Sequence, residues 1–365
     1  MRLRALRCPH SRVEVLTASG ASAEGFPGCS PETKEVRGQA QESGLVKHLS
    51  PVMLMAILLV AGLTSHPAGQ APLISSVRAS IAKGDFRAGE RLVGEYRAAR
   101  GVTPEMLEAL SWLGRGALAA KRFEQADEYA RQTYDLATAT LKPLELDVEP
   151  HLPIALGAAI EVRAQASAQT GARSEAVAFL QRELASYKAT SIAKRIQKNL
   201  NLLSLEGTPA PPLDLSESLG RTPIPLSALK GKVVLLFFWA HWCSDCKLQG
   251  PVLEQLAGKY GPQGLTVLAP TQRYGYVAGG RSATPGDERQ HIAQVRNTHY
   301  AFLQENAVAL AEANHLRYGV STTPTLVLLD RQGRVQLYHP GRMAVAELDQ
   351  VVQRWLKQQP ADAQP

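Results

Sequence analysis

Two cysteines, Cys243 and Cys246, are the residues of this 365-residue chain whose type and spacing most clearly permit chemistry. They follow a near-continuous apolar run from Lys232 to Trp239 and precede a stretch with helical periodicity, which predicts a strand-to-helix junction at Cys243. A sulfur at a helix N-terminus faces unpaired backbone N–H groups and the positive end of the helix dipole, which favour the thiolate. We predict that Cys243 is an exposed nucleophile and that Cys246, one turn further on, is a shielded resolving thiol.

A structural zinc site is the alternative use of such a pair, but it normally takes four ligands. The other two cysteines, Cys8 and Cys29, lie in a leader that we expect to be discarded. The nearest histidine, His241, is one residue short of the usual ligand spacing. The sequence therefore predicts no metal site and no cofactor beyond the Cys243–Cys246 pair itself.

The composition is that of a soluble globular protein, with 45% hydrophobic and 20% charged residues. The length suits two domains, each large enough to bury a core. The net charge of +7 is spread along the chain, and no basic block alternates with aromatic residues. We therefore expect no nucleic-acid binding.

The first 71 residues contain an apolar stretch from about Pro51 to Leu63, which follows a lysine and is too short to span a bilayer comfortably. Small residues come next, and Gly69 and Ala71 suit the −3 and −1 positions of a signal-peptide cleavage site. We interpret residues 1–71 as a disordered leader plus a signal peptide or a short membrane anchor. The mature protein would then be periplasmic or attached to the outer face of the inner membrane.

Residues 72–206 have apolar positions at spacings of three and four, which predicts an α-helical domain. Short turn-like segments recur where one helix would give way to the next. They resemble degenerate tetratricopeptide repeats, and an irregular helical bundle fits the spacing equally well. The recurring segments are Gly84-Asp85-Phe86, Lys121-Arg122-Phe123 and Gly171-Ala172-Arg173.

Residues 207–212 form a proline-rich linker, and residues 213–358 alternate strand and helix signals before a short disordered tail, 359–365. The pattern predicts a compact α/β domain whose sheet ends in a hairpin. The predicted strands are Lys232 to Trp239, Leu265 to Pro270, Thr325 to Asp330 and Arg334 to His339, and the predicted helices are Cys243 to Tyr260, Asp287 to Arg296 and Ala344 to Lys357.

Two motifs of this domain resemble the thioredoxin superfamily. The segment LKGKVVLLFFWAHWCSDCKLQGP is similar to its active-site segment, and GVSTTPTLVLLDRQGRV, residues 319–335, is similar to its second hallmark. The lead-in PPLDLSESLGRTPIPLSALKGK resembles the β-hairpin that precedes the fold in TlpA- and ResA-like oxidoreductases. The resemblance covers about 207–356 and implies a thioredoxin-like fold, a central mixed sheet flanked by helices with an N-terminal β-hairpin.

The same resemblance implies the site residues. Cys243 and Cys246 would form a redox-active disulfide, and Pro324 would be a cis-proline. Thr323 would face the disulfide and offer its backbone to a bound substrate. The remaining active-site support would come from Trp242, Ser244, Asp245 and Lys247.

Four features depart from the family pattern. The dipeptide between the cysteines, Ser244-Asp245, contains no proline. Phe237 stands where thioredoxin has a buried acid, and Gln249 replaces a glutamate common in the TlpA-like helix. The glycine-rich segment 271–288 is longer than a minimal connection needs. We consider it either a lid over the disulfide or a plain surface loop.

The expected function is that of an exported thiol–disulfide oxidoreductase, a protein disulfide reductase that works through a mixed disulfide. Its partners would be protein dithiols or disulfides, an electron-donor thiol protein and a protein bound by the helical domain. A peroxiredoxin-like peroxidase is the rival enzyme, although Ala240 occupies the position where that family needs a threonine. The non-enzyme alternative is a helical-repeat binding protein with a redox-inert thioredoxin-like domain.

Overall fold

The computed structural model describes residues 72–140, 146–304 and 306–358. The predicted leader, 1–71, and the predicted tail, 359–365, lie outside these residues. Within the described ranges, no helix is both long enough and apolar enough to cross a membrane.

Seven α-helices make up the described N-terminal part, and the three predicted turns each separate two of them. Asp85 and Thr103 cap helix N-termini, since their side chains accept hydrogen bonds from the N–H groups of Ala88 and Met106. Whether the helices are tetratricopeptide repeats stays a prediction. The helices are α1 (Leu73–Ala82), α2 (Phe86–Arg100), α3 (Pro104–Ala119), α4 (Phe123–Thr140), α5 (Leu152–Gln169), α6 (Arg173–Tyr187) and α7 (Ala193–Ser204).

The C-terminal part is a mixed four-stranded sheet flanked by helices, as predicted. The strand order is β3-β2-β7-β8, with β2 parallel to β3 and antiparallel to β7, and β7 antiparallel to β8. The elements are β1 (Ser218–Leu219), β2 (Val233–Phe238), α8 (Ser244–Tyr260), β3 (Leu265–Leu268), β4 (Tyr276–Val277), β5 (Arg281–Ser282), α9 (Pro285–His299), β6 (Val308–Ala309), α10 (Glu312–Arg317), β7 (Thr325–Leu329), β8 (Val335–Pro340) and α11 (Val345–Lys357).

Strand β2 is buried on both faces, which explains why its sequence is apolar without alternation. Leu235 and Phe237 pack into the core that also contains residues of α8, α9 and α11. Leu236 and Phe238 point the other way, into a core shared with Tyr318. The first face carries the cysteine helix α8.

The predicted N-terminal β-hairpin is wrong. The lead-in forms only the two-residue strand β1, which pairs antiparallel with β6, about ninety residues later in the chain. Prolines at positions 211, 212, 223 and 225 flank this strand on both sides. Because proline has no backbone N–H, a long local ladder is disfavoured there.

The segment predicted as a linker, 207–212, is bonded to the sheet. Gly207 N donates to Val335 O (2.7 Å), and Ala210 N donates to the turn between β7 and β8. Leu205, just after α7, is buried in the core of the sheet face opposite α8. The end of the helical part therefore completes the packing of the α/β part.

Helix α7 also approaches the turn that follows α10 at backbone distance. A Cβ atom at Gly319, whose φ is +61°, would lie 2.3 Å from Lys198 N. Next to this contact, Lys194 Nζ donates to Glu312 Oε1 (2.8 Å). Only glycine permits so close a contact at this position.

Candidate active site

The two cysteines lie at the predicted strand-to-helix junction and are disulfide-bonded. Cys243 is the N-cap of α8, and its Sγ accepts a hydrogen bond from Cys246 N (3.0 Å). The strand end is fixed because Trp239 Nε1 donates to Ala269 O (2.9 Å), across the parallel pair β2–β3. The sulfur of Cys243 thus lies against an otherwise free N–H group of the helix N-terminus.

Cys243 is not exposed in this disulfide form, so that expectation is wrong. The residue is 3% exposed and Cys246 is 0% exposed. The side chain of Cys243 is turned inward to Cys246, and its Sγ lies 3.5 Å from Thr323 O. Bonding and contact on these two sides leave little of the sulfur open to solvent.

The Thr323–Pro324 peptide bond is cis, which confirms that prediction. Pro324 O accepts a hydrogen bond from Gly341 N (2.7 Å), which ties the start of β7 to the end of β8. About eighty residues separate Thr323 from Cys243, and the antiparallel pairing of β2 and β7 brings them together.

The remaining predicted support residues surround the start of α8. Trp242 is 49% exposed, Ser244 is exposed and Lys247 is half-buried. The Asp245 carboxylate pairs with Arg342, with 3.5 Å between Oδ1 and Nε. Sequence reasoning missed Arg342, because it follows β8 and no local pattern marks it as a neighbour of α8.

The two single-residue departures from the family pattern, Phe237 and Gln249, are buried. The Phe237 ring packs edge-on against Tyr300, with centroids 5.4 Å apart. Gln249 is 1% exposed, and its Oε1 accepts a hydrogen bond from Met343 N (2.9 Å). Neither position supplies a titratable group beside the cysteines.

A buried cluster of titratable and aromatic side chains surrounds His241, two residues before Cys243. His241 is 2% exposed and lies against the rings of Tyr274, Tyr276 and His291, with centroid distances of 5.1–5.6 Å. Its Nε2 is 3.3 Å from Glu288 Oε1. Burial, with the nearby His291, lowers the pKa of His241, which Glu288 opposes. We name these five residues the His241 cluster.

Sequence reasoning missed this cluster because it considered His241 only as a metal ligand. The available signal was the aromatic pair Tyr274 and Tyr276 within the glycine-rich segment 271–288. That segment forms the antiparallel pair β4–β5 and runs into α9 at Pro285. It is therefore more than a plain loop, and its role as a lid stays a prediction. Among the described residues, no group of three or more His, Cys, Asp or Glu side chains is arranged to hold a metal ion.

Comparison with known proteins agrees with this geometry. Residues 207–338 match the model of the AhpC/TSA family. The thioredoxin-like protein YneN of Bacillus subtilis (strain 168) is 29% identical over 147 residues, which are 40% of this chain and 77% of YneN. The thiol-disulfide oxidoreductase ResA of Halalkalibacterium halodurans is 25% identical over 141 residues, 39% of this chain and 70% of ResA.

A solved structure also matches, that of "a putative Thiol:disulfide interchange protein DsbE from Chlorobium tepidum". It is 32% identical, with a TM-score of 0.33, over 41% of this chain and 97% of that one. The C-terminal part of the chain thus contains a thioredoxin-like domain that matches the AhpC/TSA family over residues 207–338. It is a redox enzyme, a thiol–disulfide oxidoreductase with homologues of the ResA type.

Proposed function

We propose that Cys243 and Cys246 are the catalytic pair of an exported protein disulfide reductase, with Cys243 as the attacking sulfur. The observation that carries this proposal is the hydrogen bond from Cys246 N to Cys243 Sγ at the N-terminus of α8. An N–H donor and the helix dipole both stabilise negative charge on that sulfur. Cys246 is completely buried, as suits a sulfur that reacts only with its neighbour.

The reaction transfers two electrons from the reduced pair to the substrate. The Cys243 thiolate attacks one sulfur of the substrate disulfide, which forms a mixed disulfide and expels the other sulfur as a thiolate. Cys246 gives its proton to that departing thiolate and then attacks Cys243 Sγ. The second substrate sulfur leaves as a thiolate and the Cys243–Cys246 disulfide forms.

A separate thiol protein is needed to return the pair to its reduced form. The short distance from Thr323 O to Cys243 Sγ (3.5 Å) supports a substrate position beside the disulfide. In this proposal the backbone of Thr323 contacts the substrate chain. Trp242, Ser244, Asp245 and Lys247 line the same end of α8.

The two alternatives have less support. A peroxidase would need a threonine three residues before its reactive cysteine, and Ala240 is buried at that position. A redox-inert domain would not require two cysteines bonded at a helix N-terminus.

The test is reduction of insulin by the full chain with dithiothreitol as the electron source. Cys243→Ser should lose the activity, because the remaining thiol of the pair, Cys246, is completely buried and cannot attack the substrate disulfide. In a separate reaction without dithiothreitol, pre-reduced Cys246→Ser should accumulate a mixed disulfide with insulin, because the second attack is blocked, and added dithiothreitol should release it. Cys243→Ser is the matched control, and it should trap nothing. Full activity of Cys243→Ser would refute the proposed roles.

Export has its own test. The order of charged, apolar and small residues before Pro72 supports cleavage near that residue. The N-terminal sequence of the protein from the cell envelope should begin near Pro72. Full-length protein in the cytosol would contradict export.

A further inference from the structure

Trp242 is an exposed aromatic ring held by one residue of the long segment 271–288. Its indole contacts the ring of Tyr274, with centroids 5.5 Å apart and planes at 80°. Trp242 is 49% exposed, whereas Trp239, three residues earlier, is completely buried. An edge-to-face contact is directional, so Tyr274 restricts the orientation of an indole that packing alone leaves half free.

The backbone of Tyr274 is in turn fixed by a buried carboxylate. Glu288 of α9 is 1% exposed, and its two oxygens accept hydrogen bonds from Tyr274 N (2.5 Å) and Gly275 N (2.9 Å). A carboxylate so deeply buried is held by these donors, because without them its charge would be buried and unpaired. Helix α9 therefore fixes the backbone from which the Tyr274 ring projects.

The neighbouring residue provides a second attachment. His241 directly precedes Trp242, and it packs against both Tyr274 and Tyr276. Tyr274 thus contacts two consecutive residues of the segment that leads into Cys243. Tyr276 contacts His241 and Tyr274, and among the described ring contacts it has none with Trp242.

We propose that Tyr274 is a positioning residue that holds Trp242 ready to bind the polypeptide around a substrate disulfide. This inference rests on the proposed function of Cys243. A side chain ordered before binding loses less conformational entropy when the substrate docks. The substrates favoured are polypeptide disulfides with apolar side chains near the cysteine, because these bury against an indole. The chemical step at Cys243 does not involve Tyr274.

The experiment measures KM and kcat for insulin with the full chain. Tyr274→Ala should raise KM about three- to tenfold, the range expected for losing one edge-to-face aromatic contact, and leave kcat within about twofold. Tyr274→Phe keeps the ring and should behave as the parent. Tyr274→Leu, which keeps apolar volume in the segment, should change KM in the same direction as Tyr274→Ala.

Tyr276→Ala is the matched control, since it removes a tyrosine from the same segment without touching Trp242. It should leave KM unchanged. In a Trp242→Ala background, Tyr274→Ala should raise KM no further, because the residue through which it acts is gone. Equal increases from Tyr276→Ala and Tyr274→Ala, or additive effects with Trp242→Ala, would overturn the proposal.

A second readout does not depend on activity. Acrylamide quenching of Trp242 fluorescence, obtained by subtracting the matching Trp242→Phe protein, should rise in Tyr274→Ala and stay at the parental level in Tyr276→Ala. Unchanged quenching in Tyr274→Ala would overturn the positioning role. Failure of the parent to reduce insulin would instead overturn the proposed function, and the quenching comparison would still decide the role of Tyr274.

Discussion

Two regions of the described structure that bury titratable side chains, one between α5 and α7 and the other around His241, are arranged differently. Between α5 and α7, Glu161 accepts hydrogen bonds from Arg195 Nε (2.5 Å) and Lys198 Nζ (3.0 Å). In the His241 cluster, the imidazole and the Glu288 carboxylate are 3.3 Å apart, and both ring nitrogens lack a hydrogen-bond partner among the described residues. One region pairs its charges, and the other packs an imidazole against aromatic rings.

The pKa shifts of Glu161 and His241 follow from these two arrangements. Burial alone would raise the pKa of Glu161, but Lys198 and Arg195 hold it well below its usual range. Burial lowers the pKa of His241, so this side chain is neutral near pH 7. We infer that the helical region uses paired charges to fix α7, the helix that packs on the sheet. The active-site region uses a neutral histidine to anchor a long segment beside the disulfide.

The largest expected effect comes from breaking the paired charges. Glu161→Gln leaves Arg195 and Lys198 buried without an anion, which should lower the free energy of unfolding by about 3–5 kcal/mol. Glu312→Gln is the matched control, because Glu312 pairs with Lys194 but is 67% exposed. Its cost should stay below about 1 kcal/mol. Urea denaturation measures the unfolding free energy of both variants. Equal losses in Glu161→Gln and Glu312→Gln would contradict the contrast between the buried and the exposed charge pairs.

A smaller effect is expected in the dependence of the unfolding free energy on pH. His315 of α10 is completely buried, and burial, with Lys194 nearby, lowers its pKa to about 3. An unfolded histidine titrates near 6.5, so the unfolded chain binds the proton first as the pH falls. The stability contributed by neutral His315 is full above about pH 6.5. It should fall by about 1.4 kcal/mol per pH unit as the pH drops from there toward 3.

His315→Leu should therefore flatten the dependence of unfolding free energy on pH between about 6.5 and 5. His241→Leu is the comparison on the active-site side. Its effect should have the same sign and be smaller, because Glu288 opposes the pKa shift of His241. If His241→Leu flattened the pH dependence of the unfolding free energy more than His315→Leu does, this prediction would be contradicted. Protonation of His241 would then destabilise the fold more than protonation of His315.

The features predicted from sequence are those encoded by local pattern. The strand-to-helix junction at Cys243 follows from an apolar run and helical periodicity. The cis-proline at Pro324 follows from the resemblance of two paired motifs to the thioredoxin superfamily. The missed features arise from contacts between distant segments. Arg342 reaches Asp245 from beyond β8, and β1 pairs with β6 rather than with a neighbour. The burial of Cys243 follows from its bond to Cys246 and its contact with Thr323, which the sequence pattern alone does not reveal.

The attacking role of Cys243 is tested most directly by the alkylation rates of the two cysteines in the reduced protein. Iodoacetamide reacts with thiolates, and peptide mass spectrometry at timed intervals distinguishes the two sites. Because Cys243 caps α8 and Cys246 is completely buried, Cys243 should react roughly ten times faster or more at pH 7. Faster modification of Cys246, or equal rates at the two sites, would contradict the account.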